Sequence, residues 1–140
     1  VMISVASVAD DELVEAVRRL VPQLSSAPPP DREALQRLID TSGVALLVGG
    51  AGDRIVGMLT LAMFPTPTRL RAIIEDVVVD SAARGQGAGA ALLREAARLA
   101  GAAGAPCVDL TSRPGREAAN RLYRSFGFEL RETNAYRLAL

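Results

Sequence analysis

A β-branched apolar run, Val77-Val78-Val79, breaks at Asp80-Ser81-Ala82-Ala83 and opens into Arg84-Gly85-Gln86-Gly87-Ala88-Gly89. Ala90-Ala91-Leu92-Leu93 then begins a helical pattern. A strand, a glycine-rich loop and a helix in that order constrain this chain more than any other feature it has. The glycines permit close backbone approach, and the first-turn amides of the helix have no partner within it. Together with the helix dipole, those amides form a site for an anion, phosphate above all.

Two widespread phosphate cradles do not match. The dinucleotide fingerprint runs G-x-G-x-x-G near the start of a βαβ unit, whereas Gly85-x-Gly87-x-Gly89 has a different spacing and lies late in the chain. The P-loop needs Gly-Lys followed by Ser or Thr, and this chain contains no lysine. What remains is Arg84-x-x-Gly87-x-Gly89. It resembles the pyrophosphate loop of the GNAT superfamily, the acyl-CoA-dependent N-acyltransferases, whose pattern is Arg or Gln-x-x-Gly-x-Gly or Ala. Taken alone, the loop also reads as a structural turn without a ligand.

A second segment strengthens the resemblance. Asn120-Arg121-Leu122-Tyr123-Arg124-Ser125-Phe126-Gly127-Phe128 is similar to the family's Asn-x-x-Tyr near a helix end followed by Gly-Phe. Asn120 and Tyr123, three apart, share a helix face. Gly127 reads as the C-terminal cap and Phe128 as the first core residue beyond it. The resemblance implies an α+β fold over residues 1–140: a mixed, mostly antiparallel central sheet flanked by about four helices, in a single domain. It also implies acetyl-CoA as co-substrate.

Composition supplies exclusions. At 140 residues with 49% hydrophobic and 23% charged residues, the chain is long enough for one real core. Its sixteen arginines balance sixteen acids, so no nucleic-acid footprint is expected. No apolar run approaches the roughly 20 residues of a membrane span, and no signal-peptide layout is seen. A single cysteine, Cys107, forms no internal disulfide, and a cytoplasmic location is the expectation. With no histidine and one cysteine, neither a zinc site nor an imidazole base is expected. A base must be a carboxylate, a tyrosine or water.

The coarse element reading follows from periodicity and punctuation. Met2 to Val8 reads as a strand, and Asp10 or Asp11 caps a helix carrying Leu13, Val14, Val17, Leu20 and Val21. Asp31 caps a second helix with Ala34, Leu35, Leu38 and Ile39. Val44 to Gly49 and Ile55 to Met63 read as strands joined by a turn at Gly50-Ala51-Gly52-Asp53, and Leu70 to Val79 as the central strand. A helix is expected from about Gly87 to Ala103, a strand over Pro106 to Leu110, a helix over Gly115 to Phe126, and a closing strand pair from Phe128 to Leu130 and Ala135 to Leu140. Cys107 is expected as a buried core thiol.

The resemblance assigns chemistry residue by residue. The amides of Arg84, Gly85, Gln86, Gly87, Ala88, Gly89 and Ala90 take the pyrophosphate oxygens. Val77, Val78 and Val79 offer their backbone to the pantetheine arm as in β-addition, while their side chains are core. Tyr123 is the candidate general acid: a phenol near pKa 10 is matched to a thiol near 8.5. Its alternative is an amphipathic tyrosine that merely packs. Asn120 either bonds the arm or faces solvent. Glu75 and Asp76 interrupt Ile73-Ile74-Glu75-Asp76-Val77-Val78-Val79, a run resembling the Ile/Leu-Glu-Asp segment of polyamine and glucosamine-phosphate members. Glu75 then reads as general base and Asp76 as a group orienting the substrate. Strand alternation sends Glu75 and Val77 to one face and Asp76 to the other. The alternative for Glu75 is an ion pair with Arg69 or Arg71.

The acceptor is expected to be a small-molecule amine, since no acidic run marks a polycation groove. Arg69 and Arg71 are candidates for an acceptor's carboxylate or phosphate, and Pro28-Pro29-Pro30 for one rim of its site. Asp109, Thr111 and Arg113 are candidates for the cleft wall. Acetylation of a protein amine and non-catalytic acyl-CoA binding are the competing functions. The apolar end of the chain hints at sheet-edge pairing in a homodimer.

Overall fold

Asp10 and Asp31 start the first two helices, as their positions ahead of apolar-periodic stretches predict. The Asp10 carboxylate accepts from the Leu13 N–H, and Asp31 from the Ala34 N–H at 2.8 Å. Each cap satisfies one amide that the helix itself leaves unpaired. Helix α1 (Asp11–Leu20) ends in a 3-10 turn, Val21–Gln23, where Pro22 stops it, and α2 (Arg32–Ile39) follows. The computed structural model describes all 140 residues. Strands β1 (Met2–Val5), β2 (Val44–Ala51), β3 (Arg54–Pro65) and β4 (Leu70–Val79) form one sheet in that order, every neighbour antiparallel. Helices α3 (Ala88–Ala102) and α4 (Glu117–Phe126) complete the chain's regular elements.

Alternation along the strands divides the core between two faces of the sheet. Leu47, Leu59, Leu61, Ala72 and Ile74 pack with Leu92, Leu93 and Ala96 of α3 and Tyr123 of α4. Leu46, Val48 and Met58 face the other way, onto Leu13, Val17 and Leu20 of α1 and Leu35 of α2. Helices therefore cover both faces, and Leu47, Leu59 and Leu61 are wholly buried between them. Each such side chain contributes about 1.5–3 kcal/mol by leaving water.

One position breaks the alternation. Thr60 pairs with Glu75 and Met58 with Val78, so Leu59 alone stands opposite two residues of β4. Asp76 absorbs the surplus at φ 54°, in the left-handed region where only glycine is free of strain. The bulge rotates the strand, so Glu75 and Asp76 are both exposed and both line one cleft. The expectation that they point to opposite faces is corrected: a period of two does not survive an inserted residue.

The segments after α3 depart further from expectation. Residues 106–110 meet β4 at a single parallel bridge, Ile73 to Asp109, instead of forming a strand. The Ile74 N–H donates to Asp109 O and the Asp109 N–H to Ala72 O. Beyond Leu110 the chain diverges from β4. The expected closing pair is absent: Leu130, Tyr136, Leu138 and Leu140 are exposed and unpaired. Thr133 is the only β-branched residue there, and a one-bridge neighbour offers no ladder to extend. Cys107 is exposed, not buried. Val108 and Leu110 turn toward the core, and alternation leaves Cys107 and Asp109 on the opposite side.

Candidate active site

The polar turn after β4 delivers the glycine loop to the head of α3. Ser81–Ala83 forms one 3-10 turn, and Gly85 and Gly87 both hold φ 81°. A side chain there would be forced into the left-handed region, at about 1–2 kcal/mol. Gly89 sits close to α4: a Cβ on it would lie 2.7 Å from Leu122 Cδ2, so that side-chain end would have to shift to admit one. No carbonyl or side chain of the protein accepts from the consecutive N–H groups of Arg84 to Ala90, and the first α3 amide to find an acceptor is that of Ala91, at Gly87 O. Gly87 at the N-cap carries no side-chain cap either. Such a row of convergent free amides at a helix N-terminus is suited to an oxyanion.

The outer edge of β4 is open beside it. The Asp80 N–H is spent on Val56 O across β3, so alternation turns the polar groups of Val77 and Val79 outward, away from β3, whereas those of Val78, expected to serve the same arm, face Met58 of β3. Strand-like pairing on that edge ends at Asp109. The wedge between β4 and the diverging residues 111–116 opens into a cleft of about 580 Å³. Glu75, Asp76 and Val77 line one wall; Thr111, Ser112, Arg113 and Arg116 line the other; Tyr123 closes the base. Leu24, Ser25, Ala135 and Arg137 reach it from the rim.

Helix α4 brings two expected residues to this region. Tyr123 is 5% exposed, with its ring edge-on to Phe128 at a centroid distance of 6.0 Å. Burial pushes its phenol above the ordinary value near 10, against the opposing field and hydrogen bonding of the nearby Arg116 guanidinium. The hydroxyl is thus protonated throughout the neutral range. Asn120 Nδ2 donates to Arg113 O at 2.9 Å and to Arg116 O at 2.8 Å, fixing the turn that enters α4. Its Oδ1 has no partner within the protein.

Sequence reasoning missed the group that anchors the loop. Asp80 is the one buried charged residue. Its Oδ1 accepts from the Ala82 N–H, capping the turn, while Oδ2 accepts from Arg19 Nη1 at 2.5 Å. Gln23 joins them, donating to Asp80 Oδ1 and accepting from the Ser81 N–H at 2.9 Å. Arg19 also donates to Ile55 O, tying α1 to β3. The Ala82 amide and the Arg19 and Gln23 side chains hold the Asp80 carboxyl below the usual carboxylate range. A lone aspartate after an apolar run was the only sequence signal, and its partner lies sixty-one residues away.

Other candidates stand elsewhere. Arg71 pairs with Asp109 at 3.4 Å, and Arg69 reaches toward Cys107 Sγ, so neither joins Glu75. Asp109 also lies within 3.9 Å of Arg131 and is absent from the cleft wall, whereas Thr111 and Arg113 are part of it. Pro28-Pro29-Pro30 do not contribute to the rim; Leu24 and Ser25 do. No helix is long and apolar enough to cross a membrane.

Known structures share this fold. An acetyltransferase of Trypanosoma brucei superposes with a TM-score of 0.80 at 29% identity, covering 99% of each chain. A transcriptional regulator from Bacillus halodurans C-125 superposes at 0.79 with 25% identity, over 99% of this chain and 100% of that one. An aminoglycoside acetyltransferase from an uncultured soil metagenomic sample, solved with trehalose, shares the fold at 0.82 with 22% identity, over 99% and 95% of the two chains. A comparison with curated protein sequences finds no match. The family model for the acetyltransferase (GNAT) family matches residues 11–128, from the start of α1 to the Phe128 that follows α4. The chain belongs to the GNAT family of acetyltransferases.

Proposed function

We propose that the protein transfers an acetyl group from acetyl-CoA to a primary amine of a small molecule, by direct attack within a ternary complex. The observation that carries this reading is the continuity of the free amides of Arg84–Ala90 with the outward-facing backbone of Val77 and Val79, touched there only by Arg116 at 3.5 Å, and with the cleft beyond. A pyrophosphate suits the amides, and an extended amide-bearing arm suits the strand edge. Asn120 Oδ1 is available to accept from an amide of that arm, while its nitrogen holds the Arg113–Arg116 turn.

Acetyl-CoA supplies a thioester carbonyl open to attack by a neutral amine. Glu75, exposed in the cleft and without an ion-pair partner, takes the ammonium proton directly or through water and passes it to solvent. Asp76, held outward by the bulge, orients the amine. As the N–C bond forms and the C–S bond breaks, the electron pair goes to sulfur, and Tyr123 gives its phenolic proton there. The second proton leaving nitrogen restores the phenol, so the products are the acetamide, CoA thiol and one released proton. A desolvated, firmly protonated phenol suits the acid role. The exposed apolar residues of the C-terminal segment support a homodimer.

The test is acetyl-CoA-dependent thiol release across a panel of small amines. Turnover of at least one amine, with the acetylated product detected by mass, is the expected result. Acetyl-CoA binding with no turnover on any small amine contradicts the small-molecule reading.

A further inference from the structure

The cleft holds charges of both signs that leave each other alone. Glu75 and Asp76 stand on one wall, and Arg113, Arg116 and Arg137 on the other wall and rim. None of these five side chains forms an ion pair within the protein. Elsewhere arginines find acids readily: Arg19, Arg54, Arg71, Arg98 and Arg131 all do. Arg116 is partly engaged, donating to Val77 O at 3.5 Å. Arg113 and Arg137 are exposed and donate to nothing with their side chains.

A cleft of this composition disfavours a plain polyamine. Two carboxylates attract it, but three guanidiniums lining the same cleft repel it. An acceptor with one ammonium and one oxyanion turns both walls into attraction. Guanidinium groups are also the side chains best matched to planar carboxylates and to phosphates, which they grip in bidentate fashion.

Resting on the proposed acceptor reaction in this cleft, we propose that the acceptor is a zwitterionic small molecule. Its amine sits at Glu75 and Asp76, and its carboxylate or phosphate is held by Arg113 and Arg137. Arg137 comes from the C-terminal segment, which thereby contributes to specificity although it forms no strand. The pyrophosphate of the acyl donor already has the Arg84–Ala90 amides, none of which lines this cleft, and makes no demand on this pair.

Matched acceptors test this. α-Amino acids are compared with their amides, and a phosphorylated amino sugar with the free amino sugar, by initial rates at saturating acetyl-CoA. The expected result is kcat/KM at least roughly 10-fold higher for the anionic member of one pair set, and the set that shows it identifies carboxylate or phosphate. Arg113→Gln and Arg137→Gln each raise KM for that member and collapse the preference toward one, with KM for acetyl-CoA unmoved. Both residues are exposed, so melting temperatures stay at the wild-type value. Equal or better turnover of the neutral members overturns the zwitterion while leaving the acetyltransferase reading intact. Arginine substitutions that raise KM for acetyl-CoA instead assign the pair to the donor and overturn it as well. Absence of turnover on every amine defeats both readings.

Discussion

Ile74 and Val77, three residues apart on one strand, bury their side chains in the same core. On a regular strand they belong on opposite faces. Asp76, at φ 54°, makes the difference, and it exposes two carboxylates in the cleft while keeping both apolar neighbours inside. Replacing Asp76 with Val, whose branched side chain resists the left-handed region, is expected to cost about 1–3 kcal/mol. Gly at the same position changes stability by no more than about 1 kcal/mol. Urea unfolding of the two variants checks this; equal losses contradict a strained bulge.

Tyr123→Phe keeps the ring against Phe128 and removes only the hydroxyl. Turnover is expected to fall about 10- to 1,000-fold with acetyl-CoA affinity nearly unchanged. Steady-state rates beside a binding titration distinguish the two effects. Wild-type turnover removes the phenol from the acid role.

The Asp80 anchor gives a pH signature. Its folded carboxyl lies below the ordinary value of 3.8, so the unfolded chain binds the proton more tightly and stability contributed by this group is present above about pH 4 and lost as pH falls through the folded value. Asp80→Asn removes that slope, and its stability is expected to depend less on pH below 4 than the wild type's. Acid titration followed by circular dichroism reads the difference. The same variant should weaken acetyl-CoA binding, because the turn that presents Arg84–Ala90 loses its tie to Arg19; unchanged affinity separates the anchor from the loop.

Gly89 and Leu122 form a testable contact. Gly89→Ala brings a methyl to 2.7 Å from Leu122 Cδ2, the movable end of a side chain, and is expected to cost no more than about 1 kcal/mol, since a shift of that end relieves most of the clash. Leu122→Ala in the same chain recovers part of that loss, a coupling that a double-mutant cycle measures. Strict additivity contradicts the close approach of α3 and α4.

What the sequence revealed and what it withheld divide along physical lines. Asp31 as a cap, Leu70–Val79 as a strand and Gly87 at the head of a helix are local signals and stand as read, and of Asp10 and Asp11, either of which the sequence allows as the first cap, it is Asp10 that caps. The bulge was hidden because Ile73 to Val79 looks like one continuous apolar strand with two acids in it, and no glycine marks the left-handed residue. The Arg19–Asp80 pair spans sixty-one residues and has no periodic signature. Arg113 lies in the cleft wall as expected, but Arg137 in the cleft, and Arg69 and Arg71 outside it, follow from where residues 106–116 diverge from β4. That divergence is a property of tertiary packing, as are the exposure of Cys107 and the unpaired C-terminal segment.

The central claim is that the free amides of Arg84–Ala90 and the open edge of β4 receive acetyl-CoA. Titration of the protein with acetyl-CoA by calorimetry tests it most directly, with thermal melts alongside. The account predicts a one-to-one complex and, at 100 times Kd, stabilisation of about 2.7 kcal/mol, both weakened by Gly87→Ala. No heat of binding and no shift in melting at millimolar acetyl-CoA contradicts it.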